Sequence, residues 1–317
     1  MSHNVETMAY TNEVPWHGLG VSLKSAPTVE GMLRAARIDW TVSKRKLATT
    51  NGEDKFTHAV TSHFALTRDS DNRVLDVVAA GYVPTQNSEA FGFFNEFVKA
   101  GRATMETAGS LQYGKYVWGL ANLKTNFTLP GNDRVNGYLL LLSPHKQGKS
   151  LLAKLTQVRV VCNNTLTMAL NEGGATFRMI HRQEFDEKMM TRAKETLGLA
   201  RETFGNFEKI ARQLQKLNLG RDDVLRILAP VFQPKVEVKD VVKDYENVAG
   251  PRLEAVMNCL EKAPGAQPGN AWGVLNAATY WADHVASRTA DKRLTNAWLG
   301  KTAAQKQKVL DALLVRV

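Results

Sequence analysis

The sequence predicts an α+β fold, with a curved antiparallel sheet and packing helices in the N-terminal half and a mostly helical C-terminal region. Three observations predict it. Between residues 40 and 86, alternating and β-branched runs are separated by turn formers. An aromatic-rich stretch of helical spacing follows, and strand patterns then resume. After Phe185 the texture changes to long charged segments with helical periodicity.

Taken in order, runs at 40–46, 58–67 and 74–83 read as strands, joined at Asn51-Gly52 and at Asp69-Ser70-Asp71-Asn72 by hairpin turns. Asn87 reads as the N-cap of a helix ending at Lys99, whose Phe91, Phe94, Phe97 and Val98 recur at helical spacing and form its core face. Further strands are expected at 104–109, 116–123, 138–143 and 151–162, with turns at Pro130-Gly131-Asn132 and Gly148. Beyond them Ala193, Leu197, Ala200, Phe204, Phe207, Ala211 and Leu214 alternate spacings of four and three, a heptad-like stripe on one long helix. Such a stripe serves either the chain's own core or an oligomer seam. Gly220 is expected to end this helix, and Pro230, Pro234, Pro251, Pro264 and Pro268 to divide the remainder into shorter pieces.

At about 150 residues per domain, 317 residues suggest two units. These are an α+β unit over 1–184 and a helical, oligomerising unit over 185–317. Hydrophobic residues at 44% and charged residues at 23% exclude a disordered chain. The net charge of +10 favours a polyanionic partner. The longest aliphatic run, 139–142, is too short to span a membrane, and residues 1–13 carry neither a basic start nor an apolar stretch. Two cysteines, Cys162 and Cys259, without a CxxC pair, give no disulfide framework or zinc motif. The expected location is therefore a reducing cytoplasm, and no cofactor is expected.

The densest charge asymmetry lies between Arg134 and Arg182. There Arg134, Lys146, Lys149, Lys154, Arg159, Arg178 and Arg182 face a single acid, Glu172. Tyr113, Tyr116 and Trp118 precede this segment, and Asn163 and Asn164 lie within it. Lysine and arginine follow a phosphate backbone while aromatic faces stack on unpaired bases, so the mixture suits single strands better than duplex readout. Lys44 and Lys46, two apart on a strand, join the same candidate surface, with Arg45 pointing opposite. The competing reading of both features is a solvated or edge-protecting strand face.

No catalytic or metal constellation emerges. The loop from Ser143 to Ser150 ends Gly148-Lys149-Ser150, as a phosphate-cradling loop does. However, Ser143 replaces its first glycine and the following residues alternate like a strand instead of opening a helix. The seven histidines do not cluster in sequence, and His58 and His63, five apart on a strand, fall on opposite faces. His17, in Pro15-Trp16-His17-Gly18, reads as a buried plug before it reads as a base. Asp69, Asp71 and Asp76 read as loop-solvating carboxylates.

Three separated stretches carry a resemblance: Val14-Pro-Trp-His-Gly-Leu-Gly20; Val158-Arg-Val-Val-Cys-Asn-Asn-Thr-Leu166; and Asn270-Ala-Trp-Gly273 followed by Arg293-Leu-Thr-Asn-Ala-Trp-Leu-Gly300. Together they resemble the phage/plasmid-like protein family, domain of unknown function 932. The resemblance implies a home on phages, plasmids and other mobile elements, and within it Arg159, Asn163 and Asn164 are the preferred polar contacts. The layout is also similar in outline to single-strand annealing proteins of the RecT and Erf kind. The leading expectation is thus a non-enzymatic, homo-oligomeric protein that binds or anneals single-stranded DNA in recombination or replication. The alternative is a host-interaction protein using the heptad-like stripe and Trp272, Tyr280, Trp281 and Trp298; a third reading is an enzyme acting on nucleic acid.

Overall fold

The computed structural model describes residues 5–11, 19–52, 56–159, 165–166, 176–181, 186–188, 191, 195, 200–263, 266, 269–286 and 301–317. Its larger sheet runs β10-β9-β8-β7-β6-β1-β2, with β11 also paired to β9. The strands are β1 (Val5–Thr11), β2 (Val21–Leu23), β6 (Thr104–Leu111), β7 (Tyr116–Leu129), β8 (Asp133–Pro144), β9 (Ser150–Arg159), β10 (Thr165–Leu166) and β11 (Thr176–Ile180). Strands β6 to β9 form an antiparallel meander, because each is joined to the next by a short turn. Gly131 and Asn132 take left-handed conformations at one turn and Gly148 at another, as the turn residues predict.

A smaller sheet, β3-β4-β5, holds β3 (Val42–Thr50), β4 (Phe56–Arg68) and β5 (Arg73–Ala79). It is the meander expected between residues 40 and 86. Helix α1 (Val29–Ala35) is followed after the small sheet by helix α2 (Asn87–Lys99), which spans the expected residues, but its N-cap is Gln86, not Asn87. The Gln86 backbone N–H donates to Glu89 Oε2 at 2.9 Å, while the Gln86 side chain exchanges two hydrogen bonds with Val42. Asn87 is free of capping duty and buried, and its amide donates to the Ile38 and Trp40 carbonyls.

Strand β8 shows how the layers form. Leu139 and Leu141 join the main core beside Phe91, Phe94 and Phe207, whereas Leu140 and Leu142 join a second cluster with Met8, Trp118 and Leu152 on the other face. A strand buried on both faces reads as a continuous aliphatic run, which is the 139–142 signal. Gly119 of β7 makes room for the helix layer: a Cβ there would stand 2.7 Å from a Phe91 ring carbon.

The C-terminal region is helical, as expected: α3 (Ala200–Lys216), α4 (Arg221–Phe232), α5 (Val238–Lys243), α6 (Tyr245–Val248), α7 (Pro251–Lys262), α8 (Ala271–Tyr280, continued by a π-turn at Trp281–Val285) and α9 (Lys301–Leu314). Phe204, Phe207, Ala211 and Leu214 of the heptad-like stripe are buried, with Phe204 and Phe207 against Phe127 and Phe207 also against Trp272. This part of the stripe therefore serves the chain's own core; Ala193 and Leu197 lie outside the described residues. Gly220 does not end α3 but caps the start of α4, in extended backbone (φ −72°). Pro251 sits in the first turn of α7, where its missing N–H costs nothing, while Pro230 is accommodated within α4. Trp272 and Trp281 are buried and Tyr280 is half-buried, so these three are core aromatics and not the open contact features of the host-partner reading. Trp298 is outside the described residues. One hydrophobic core draws on both the sheet and the C-terminal helices.

Candidate nucleic-acid interface

Residues of the predicted basic surface are distributed along β8 and β9 instead of forming one patch. Arg134 stands exposed at the start of β8, while Lys149 lies exposed and Lys146 half-buried beyond its other end. At about 3.3 Å per residue, the two groups are separated by roughly 36 Å. Arg159 pairs with Val135, which places it at the Arg134 end. Arg178 is exposed on β11. Asn163, Asn164, Arg182 and the His17 motif lie outside the described residues.

Two predicted contacts are corrected. Lys154 is only 7% exposed, because its strand is covered on both faces, and its ammonium is pulled down to about 7, first by burial and then by Lys306 and Arg178. Tyr116 is 8% exposed and belongs to the second apolar cluster. Strand alternation was legible in sequence, but which face was covered was not.

The end of the sheet bearing Lys149 is the richer one. The β6–β7 turn holds Gln112, Tyr113 and Gly114 in three successive left-handed conformations, at φ 53°, 58° and 87°. Glycine adopts such a backbone freely, whereas a tyrosine there carries strain. The Tyr113 ring is 59% exposed, with the Arg73 guanidinium 5.0 Å from its centroid. This turn abuts the next hairpin, since the His145 N–H donates to the Lys115 carbonyl at 2.8 Å. Gln147 then locks that hairpin to the small sheet: its N–H donates to Asp76 Oδ2, and its side-chain oxygen accepts from Ala79 N–H. Lys44 joins from the edge strand β3, donating to the Ala80 carbonyl and lying over the Phe64 ring, with Lys46 exposed beside it. Tyr113 and Arg73 thus meet at the start of β5, while Lys44 reaches the far end of that strand, where Gln147 of the hairpin bearing Lys146 and Lys149 is also anchored. The loop from Ser143 to Ser150 runs into strand β9, as its alternating pattern predicts for a hairpin and not a phosphate cradle.

The nearby carboxylates are engaged structurally. Arg68, 8% exposed, makes bidentate contacts with Glu6 of β1 and Asp71, joining the two sheets. Arg68 holds the Asp71 carboxyl well below the usual range, and hydrogen bonds from Ser43 and Thr41 lower that of Asp69. Among the described residues no group of three or more His, Cys, Asp or Glu side chains is arranged to hold a metal ion.

Sequence spacing missed one constellation. His145 and His181, 36 positions apart in the chain, come close enough for His181 to add to the lowering of His145 that burial causes. His145 is fully buried and His181 nearly so, and burial holds them down to about 3 and about 4. His145 lies 5.2 Å from the Trp40 ring and His181 stacks on Tyr82 at 4.9 Å. No sequence signal marks this pairing, because it depends on β11 returning beside β9.

Among the described residues no helix is long and apolar enough to cross a membrane. No curated protein and no solved structure matches the chain. Residues 74–305, most of its length, match the family described as Domain of unknown function (DUF932), and the chain belongs to that family.

Proposed function

We propose that this protein binds single-stranded DNA largely without sequence preference, serving recombination or replication of a phage or other mobile element. The observation that carries the reading is Tyr113, held exposed on a strained turn with the Arg73 guanidinium over its ring. Strained, exposed aromatics are uncommon in purely structural turns, and a base stacked on such a ring gains about 1–3 kcal/mol. Lys115, Lys146 and Lys149 supply phosphate contacts whose counterion release needs no cofactor. The strand would run along the rim of the sheet past Lys44 and Lys46. Annealing would follow if a second copy presents its strand, a step that requires an oligomer surface other than the buried part of the α3 stripe.

Fluorescence anisotropy with labelled single-stranded and duplex oligonucleotides of equal length, across a salt series, tests the reading. The expected result is preference for single strands, with log affinity falling linearly with log salt. Tyr113→Ala should weaken binding about tenfold or more at every salt concentration. The Lys146→Ala/Lys149→Ala double variant should flatten the slope by about 1.4, or 0.7 per contact. Absence of binding at low salt would overturn the proposal and redirect attention to a protein partner.

A further inference from the structure

Ser143 and His145, two apart at the end of β8, point to one side of the strand and are both fully buried. Asn87 fixes the state of the imidazole. Its amide nitrogen donates to the Ile38 and Trp40 carbonyls, so the amide oxygen is the atom that meets His145 Nε2 at 2.9 Å. That oxygen can only accept, which puts the imidazole proton on Nε2 and leaves Nδ1 with a bare lone pair. Among the described residues His145 Nδ1 has no hydrogen-bond partner, nor do Ser143 Oγ, Trp40 Nε1 and His181 Nε2. The Tyr82 hydroxyl lies beside the Lys146 backbone N–H without the geometry of a proper bond, and His181 Nδ1 shares a hydrogen bond with Thr85 Oγ1 at 3.3 Å, which leaves Nε2 as the open atom of that ring.

A single buried polar atom without a partner is costly, and a group of them around one imidazole pair calls for a shared partner. We infer that the niche bounded by Trp40, Ser143, His145 and His181 holds a small, uncharged guest that both donates and accepts hydrogen bonds. A donor is required opposite His145 Nδ1 and an acceptor opposite the Trp40 indole N–H, while the Ser143 hydroxyl serves in either sense. An uncharged guest fits best, because the burial that holds both imidazoles below their ordinary range would also desolvate an ion, and among the described residues none of these four side chains belongs to an ion pair that could offset that cost. Ordered water satisfies this chemistry, as does a small neutral organic molecule carrying a hydroxyl or amide.

Two measurements on the full chain decide the matter, and neither involves nucleic acid. The first is the melting temperature of Ser143→Ala. If the hydroxyl bonds a guest, removing it lowers Tm; if it is an unsatisfied buried group, removing it raises Tm. The second is a crystal structure at a resolution that shows ordered water, paired with native mass spectrometry. Non-protein density within hydrogen-bond distance of His145 Nδ1 is expected. An intact mass equal to the chain alone then identifies water, and an added mass identifies an organic guest. A raised Tm for Ser143→Ala, or a niche in which these atoms have closed onto one another, overturns the inference.

Discussion

Tyr113 and Lys154 were both predicted to touch the polyanion, yet one ring stands in solvent while the other side chain lies in the interior. The difference comes from the backbone. Tyr113 sits on a turn, where there is no neighbouring strand to cover it, whereas Lys154 lies between Leu140 of β8 and Thr176 of β11. Burial also governs His145 and His181. Their folded-state values of about 3 and about 4 lie below the ordinary histidine value of 6.5. As pH falls below 6.5 the unfolded chain takes up protons that the folded chain refuses, so stability declines with acidification and is fully present above 6.5. Each histidine should cost on the order of 1 kcal/mol per pH unit between pH 6.5 and about 4.5, a range above the ordinary carboxylate values. Thermal melts across this range should show a steady fall in midpoint. A flat midpoint would mean that both rings are protonated in the folded state.

Elements were more legible than individual contacts. The helix over residues 87–99 announced itself through aromatic spacing, and the small meander through its turn formers, because both signals are local. The cap of α2 was misplaced by one residue. Gln86 is a weaker capping type than Asn87, and only the approach of β3 explains why the asparagine is used elsewhere. The fit of α2 onto β7 rests on Gly119, whose missing side chain lets Phe91 and Phe94 close on the strand. Gly119→Ala should therefore destabilise the protein by about 1–3 kcal/mol through overpacking, read as a lowered denaturation midpoint in urea with an unchanged slope. An unchanged midpoint would show that α2 can shift away without loss.

On the scale of the whole molecule, the helical region does not stand apart: Phe204 and Phe207 of α3 pack on Phe127 of the sheet, and Trp272 of α8 packs on Phe207. The heptad-like stripe could not disclose this in sequence, since an apolar seam has the same spacing whether it meets a sheet or another copy. The charge distribution was likewise only half legible. Its surplus was visible in the residue count, but its spread over opposite ends of β8 follows from strand length and direction. The two sheets are joined by Arg68 across to Glu6, and the start of α2 is tied to the small sheet by the Gln86 side chain, whose amide meets both the N–H and the carbonyl of Val42. A side-chain amide thereby takes the place of a missing neighbouring strand at the first residue of β3. The Val42 amide proton should consequently exchange with deuterated solvent as slowly as protons of the central strands, although β3 is an edge. Gln86→Ala should make that one proton exchange at least tenfold faster while leaving those of β7 and β8 unaltered.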